Sequence, residues 1–552
     1  GNGHAASADV RAAGAQGNGA GANGRAAGIE SAPYVPFKPI QGRAHDELTP
    51  GQRQYVTELV ERYVRRTRRS RELIQATRAR HADSRLAIGF RQLWKDLVYP
   101  IVGERAQGAN IWDADGNEYV DVTMGFGVHL FGHAPQFINE AIAEQLSRGA
   151  SVGPQSRSAG EAAELLCELT GVERVAFCNS GTEANMSAIR LARAATGRDK
   201  IAMFAGSYHG SFDATLARAL ARGGGAVPLS PGVPARMIED VLVLEYDTPE
   251  ALSVLRERGH ELAAVIVEPV QSRRPELQPS AFLAELRRLT EQSGTVLIFD
   301  EVITGLRLHP GGAQSWFGVR ADLATYGKVL GGGLPVGAVG GRAALLDAID
   351  GGMWQYGDSS YPSAQQAYFA GTFFKHPLVM TAARAVLAHL RDGGPSIQER
   401  LNRQTDRLAA RLNEFFAGRE MPARVVHFGS LFRFAFGREV KWPDFFFYQL
   451  IEQGVYVWEG RNCFLSTAHT DADLERVTRA VMDAADQMRR VGFFPPPGDG
   501  DGRARQVVES SNVTHAHGAA AAAASTTTVT TTEVARAVDD AQAAAPDAAD
   551  EP

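Results

Sequence analysis

The sequence predicts an α/β protein built around a mostly parallel sheet. Three observations carry that expectation. Short apolar runs recur at 174–178, 200–205, 262–267, 295–299 and 321–326. Helical stretches such as 281–292 separate several of them, which is the alternation of βαβ units. The residues that could carry chemistry fall just after these runs, where ligands sit in such sheets.

The 552 residues suggest about three domains by length alone. A hydrophobic fraction of 44% is ample for a large core. The net charge of −6 lacks the basic bias of a nucleic-acid binder. No apolar run approaches the roughly 18–20 residues of a membrane span, and the N-terminus lacks the order of a signal peptide. Cys167, Cys178 and Cys463 have no paired spacing, which argues against a disulfide framework or a metal site. A reduced, cytoplasmic setting is expected.

Residues 1–33 and 496–552 are low in complexity and read as disordered linkers. With a linker at each end and Gly1, not Met, at the start, the chain reads as a folded body cut from a longer polypeptide, or else as an ordinary enzyme with disordered tails. Residues 34–95 read as a helical extension. Thr49 can cap a helix, Pro50 can start it, and Gln52 completes a capping box. Tyr55, Leu59, Val60, Tyr63 and Val64 then form one apolar stripe. Stretch 53–80 is rich in arginine, either a solvated face or a docking surface for an acidic partner.

Four motifs follow the apolar runs. In 178–185, Gly181 allows a tight turn, while Ser180 and Thr182 offer hydroxyls at a helix start. Such a terminus binds phosphate, or is simply a capped helix. Asp300 closes the strand at 296–300, and a buried carboxylate there needs a partner such as a protonated ring nitrogen or another cation. Lys328 stands between Gly327 and the glycines at 331–333. An imine-forming lysine needs a desolvated site in which its amine can be neutral. Of 57 Lys and Arg residues only six are lysine (38, 95, 200, 328, 375 and 441), and arginine cannot form an imine. Tyr208, in 206–210, could stack on a flat ring or pack in the core.

Together these motifs resemble the class III, fold-type I aminotransferases that use pyridoxal phosphate (PLP), above all those like glutamate-1-semialdehyde aminomutase. The resemblance spans about 96–490 and includes 113–121, Gly132-His133 and 267–269. It implies a large domain at 151–377 with a mixed, mostly parallel seven-stranded sheet. A small α/β domain would come from 96–150 and 378–495. By resemblance, Lys328 holds the cofactor and later shuttles the proton, and Asp300 pairs with the ring nitrogen. Tyr208 and Val302 cover the two ring faces, and Ser180, Gly181 and Thr182 bind the phosphate. Thr372 adds a phosphate contact across a homodimer interface. Gln271 bonds the ring hydroxyl, His209 supports the site, and Glu268 holds either the substrate side or another polar group.

Segments 33–40, 99–102, 124–127, 269–275 and 458–463 further resemble aminotransferase domains of hybrid polyketide–peptide synthases of the mycosubtilin and microcystin types. That implies an α-amino acid donor, Glu or Gln, and a β-ketoacyl acceptor on an acyl carrier protein. Arg461 is then a candidate carboxylate ligand. The rivals are a 1,2-aminomutase, an inactive scaffold of the same fold, and a free-standing aminotransferase for small amines.

Overall fold

The computed structural model describes residues 48–88, 90–219, 225–440 and 442–496. The expected linker at 1–33, that at 496–552 except for Pro496, the 33–40 segment, Lys38 and Lys441 lie outside the described residues.

The large sheet has seven strands, numbered here along the chain. They are β1 (Arg174–Cys178), β2 (Lys200–Phe204), β3 (Val241–Leu244), β4 (Leu262–Val267), β5 (Val296–Asp300), β6 (Leu323–Gly327) and β7 (Gly337–Gly341). Their order is β1-β7-β6-β5-β4-β2-β3. Neighbours run parallel except where β7 meets β6 and β1. Every residue of β4 and β5 is buried, as expected of central strands covered by helices on both faces.

Two strands escaped the sequence reading. β3 is four residues at the sheet edge. β7 is Gly-Ala-Val-Gly-Gly, whose glycines read as loop. The sheet needs glycine there: a Cβ on Gly337 would fall 2.1 Å from the Ser180 carbonyl oxygen, and one on Gly341 2.2 Å from that of Asp322.

A smaller sheet joins distant parts of the chain. Strands Gly103–Gln107, Asn110–Asp113 and Glu118–Asp121 pair in sequence, and Val455–Tyr456 adds in parallel to the last. The turn at 113–117 is held by Asp113. Its carboxylate accepts from the backbone of Asp115 and Asn117 and from the Tyr119 hydroxyl at 2.7 Å.

The extension is part of this body. Helix Pro50–Arg66 has the expected capping box between Thr49 and Gln52. Tyr55, Leu59 and Tyr63 of its apolar stripe are buried, together with Val56. Tyr63 meets the edges of Tyr99 and Tyr448, and the Gln52 amide donates to the Gly492 carbonyl at 3.0 Å. The arginine-rich stretch is interrupted at Thr67 and is not one continuous face. Arg62 pairs with Glu452, and Arg71 with Asp96. No described helix is long and apolar enough to cross a membrane.

Candidate active site

The carboxyl ends of β1, β5 and β6 meet at a cleft of about 300 Å³. Of the candidates named from sequence, Ser180, Gly181, Thr182, Tyr208, Glu268, Asp300, Val302 and Lys328 line it.

Helix Gly181–Thr196 starts on the cleft wall. Ser180 caps it by accepting from the Glu183 N–H at 3.2 Å. The N–H groups of Gly181 and Thr182 lie in the first turn, where no intrahelical acceptor exists. Glycine at 181 allows close approach, since a Cβ would meet Val302 at 2.9 Å. Gly210 is equally constrained: its φ is +91°, and a Cβ would strike the Thr182 hydroxyl.

Asp300 is the hub. One carboxylate oxygen receives the Asn185 amide and His209 Nδ1, each at 2.8 Å. The other receives the Val302 N–H at 3.2 Å. Thr325 donates to the Asn185 carbonyl at 2.7 Å, so β6 orients the amide that orients the acid. Beyond Asp300, the His209 ring is fully buried and its Nε2 has no hydrogen-bond partner among the described residues. Asn185 and Thr325 were given no role from sequence. Asn185 carries a signal, because it sits four residues after Gly181 and shares its helix face.

Lys328 follows β6 with φ +47°, a conformation that costs a non-glycine residue roughly 1–2 kcal/mol. Such strain marks positions over-determined by their surroundings. Its surface is only partly covered because it faces the cleft, yet protein packs densely around the amine. That burial pushes its pKa below the ordinary lysine range; Asp300 and Glu268 oppose the shift and Arg307 adds to it. Burial also raises the pKa of Glu268, which accepts from the backbone of Tyr208 at 3.0 Å and Ser272 at 3.4 Å. Tyr208 presents an exposed side chain to the cleft. Glu301, next to Asp300, points away from the cleft. Its carboxylate accepts from Ala313 and Gln314 at a helix start, and burial pushes its pKa up to about 7.

Four candidates lie elsewhere. His209 stands behind Asp300, not in the cleft wall. Gln271 lies outside the cleft lining. It is fully buried, its amide donates to Ala205 and Ser207, and its oxygen accepts twice from Arg274. These bonds brace the turn before Tyr208. Thr372 is exposed in the segment before helix Pro377–Gly393. Arg461 is half-buried outside the cleft lining; burial lowers the pKa of nearby Arg433, and the charges of Arg273 and Arg461 add to that shift.

Comparison with known proteins decides the family. The model for aminotransferase class-III matches residues 94–470. The chain belongs to the class-III aminotransferases. A glutamate-1-semialdehyde 2,1-aminomutase of Chloroflexus aggregans is 38% identical over 414 residues, covering 70% of this chain and 91% of that protein. An ω-transaminase from Sphaerobacter thermophilus superposes with a TM-score of 0.68 at 32% identity, covering 76% of this chain and 98% of that one. A β-phenylalanine aminotransferase from Variovorax paradoxus gives 0.67 at 29% identity, over 80% and 99%.

As a class-III aminotransferase the chain is a PLP-dependent enzyme. The residues present fit that cofactor. A half-buried lysine of lowered pKa faces a buried, hydrogen-bonded acid across a cleft of about 300 Å³. Glycines 181 and 210 hold open the space beside a helix N-terminus, where a side chain would close it.

Proposed function

We propose that this enzyme moves an amino group from glutamate or glutamine onto the β-carbonyl of an acyl chain held as a thioester on a carrier protein. One observation carries this reading. The described part of the extension, residues 48–88 and 90–95, lies almost wholly ahead of the family match and packs on a segment that leads to the cleft. Its Arg85 lies 3.7 Å over the Trp458 ring and donates to the Tyr456 hydroxyl at 3.3 Å. Trp458 in turn packs 4.9 Å from Phe126, two residues before Val128 of the cleft wall. A small free substrate makes no demand for such an addition, whereas a tethered chain entering from outside does.

PLP supplies an electron sink joined to the amine-bearing carbon of the substrate. Ser180, Gly181 and Thr182 would hold its phosphate, and Tyr208 and Val302 would enclose its ring. Asp300, braced by His209 and Asn185, would keep a proton on the ring nitrogen. Lys328 would hold the cofactor covalently, and its free Nζ would take a proton from the substrate carbon and later return it. Burial favours the neutral amine needed for that step. Glu268 lies on the substrate side. Arg461, in a field shared with Arg433 and Arg273, suits a donor carboxylate.

The working unit in this reading is a homodimer, and 96–150 with 378–495 form the small domain beside the large one at 151–377. The segment before helix Pro377–Gly393 supports the dimer: Tyr356, Tyr361 and Tyr368 are 93%, 70% and 76% exposed. With Thr372 completing the partner's site, two defective homodimers complement. Mixing Lys328→Ala with Thr372→Glu protomers restores one intact site per heterodimer. Random exchange of equal amounts makes half of the dimers heterodimers, so activity should return to about a quarter of that of an equal amount of wild-type dimer; no recovery after subunit exchange places Thr372 in its own protomer's site.

The second reading is a glutamate-1-semialdehyde aminomutase, favoured by the names of curated relatives such as the Chloroflexus aggregans protein. The test offers the PLP-loaded enzyme two substrates. The first is a 3-oxoacyl carrier protein with glutamate, followed by intact mass for conversion of ketone to amine. The second is glutamate 1-semialdehyde without a donor. Donor-dependent amination of the carrier-bound chain sustains the proposal. Isomerisation of the semialdehyde with no amination of the chain replaces it with the aminomutase.

A further inference from the structure

Residues 124–127 form a left-handed turn. The φ angles of Met124, Gly125, Phe126 and Gly127 are +45°, +60°, +57° and +93°. Two of these residues are not glycine, and each such position costs roughly 1–2 kcal/mol. The fold holds the strain from three sides. One Asp121 oxygen accepts the N–H of Thr123 at 2.7 Å and of Met124 at 3.0 Å. Buried Arg307 donates to the Gly127 carbonyl at 2.8 Å. Phe464 packs on Gly127, where a Cβ would lie 2.9 Å from its ring.

The turn aims the two residues after it at the cleft. Val128 enters the cleft wall. His129 comes to the rim against Gly333, where a Cβ would lie 3.6 Å from its Cε1. Gly333 precedes Leu334, another wall residue. His129 thus stands between two segments of the cleft lining.

Its surroundings set it apart from neighbouring histidines. His133 is bonded to Asp121 at 2.8 Å, and His469 to Ser466 and the Asp121 carbonyl. His129 only packs its ring 4.4 Å from that of His133. Among the described residues neither of its ring nitrogens has a hydrogen-bond partner, and the side chain is half-exposed. The charges that act on it are those of His133, Asp121 and Arg307. Lys328 lines the cleft and His129 does not, so His129 stands nearer the rim than the reacting amine does.

We propose that His129 donates a hydrogen bond to the distal oxygen of the amino acceptor, the one not converted to an amine. Resting on the acceptor reading above, this is the thioester carbonyl of the β-ketoacyl chain. Burial, with His133 next, lowers the His129 pKa to about 4, so the ring is neutral and its donation constant from about pH 6 to 9.

The test separates the two half-reactions in the holoenzyme. The donor half is followed by the visible spectrum on adding glutamate, the acceptor half by amination of a 3-oxoacyl N-acetylcysteamine thioester. His129→Phe keeps the ring and removes the hydrogen bond; His129→Asn keeps a donor. His129→Phe should lower acceptor kcat/KM about three- to tenfold, the size of one neutral hydrogen bond, and leave the donor half unchanged. His129→Asn should recover part of the loss, and the ratio of wild-type to variant kcat/KM should stay constant between about pH 6 and 9 because the His129 ring stays neutral there. If the wild type aminates no thioester but isomerises glutamate 1-semialdehyde, the acceptor reading fails by itself. The same variants are then measured on that substrate, whose carboxylate is the distal oxygen. An unchanged acceptor half, or equal loss in both halves, overturns the role of His129.

Discussion

Lys328→Ala should abolish amino transfer, with kcat/KM falling on the order of 10⁴-fold, the upper range for loss of a positioned general base. The variant should also lose covalent attachment of the cofactor while still binding it through the helix start at Gly181 and through Asp300. The reason lies in the placement of one amine. Lys328 follows β6 in a left-handed conformation, faces Asp300 across the cleft, and is buried deeply enough to lower its pKa. Lys328→Arg should be equally inactive, because a guanidinium keeps its charge and cannot form the linkage. A lowered lysine pKa also fixes the sign of the pH response. The rate of proton removal should rise with pH and level off below the ordinary lysine range, once the amine is neutral. Single-turnover rates with glutamate across pH check this. A rate still climbing at the pKa of a free lysine contradicts it.

Asp300→Ala should cost both stability and turnover, and Asp300→Asn should separate the two. Removing the carboxylate leaves the His209 Nδ1 and the Asn185 amide without an acceptor in a buried layer. At about 1–3 kcal/mol for each unsatisfied buried donor, Asp300→Ala should lose roughly 2–5 kcal/mol in urea denaturation. Asparagine keeps the shape and one acceptor, so its loss should be under about 2 kcal/mol. Turnover should nonetheless fall about 10²- to 10³-fold in Asp300→Asn, because a neutral amide cannot hold the proton on the ring nitrogen. An asparagine variant with wild-type turnover removes Asp300 from that role.

Much of this site was legible because its chemistry is punctuated. The strands ahead of Ser180, Asp300 and Lys328 are continuous apolar runs, and the sequence-derived bounds lie within two residues of β1, β5 and β6. Each run ends where a polar or glycine residue interrupts it. What escaped depends on packing between distant segments. β7 is a strand only because Gly337 and Gly341 let neighbouring backbones come close. The bonds of Gln271 were hidden, because nothing in sequence reveals Arg274 folding back onto its oxygen. His209 looked like a companion of Tyr208, but the turn sends one side chain to the cleft and the other behind Asp300. Thr325 points from β6 to Asn185, a contact 140 residues apart that no local pattern announces. The strain at Met124 and Phe126 is likewise invisible in a stretch of ordinary composition.

The most direct measurement is the visible spectrum of the PLP-loaded protein with glutamate or glutamine added, beside Lys328→Ala treated the same way. The wild type should show a cofactor band that borohydride reduction fixes to Lys328 and that an amino donor bleaches, and the variant should show neither response. A wild-type protein that stays colourless with PLP, or whose reduced cofactor maps to a different lysine, contradicts the account.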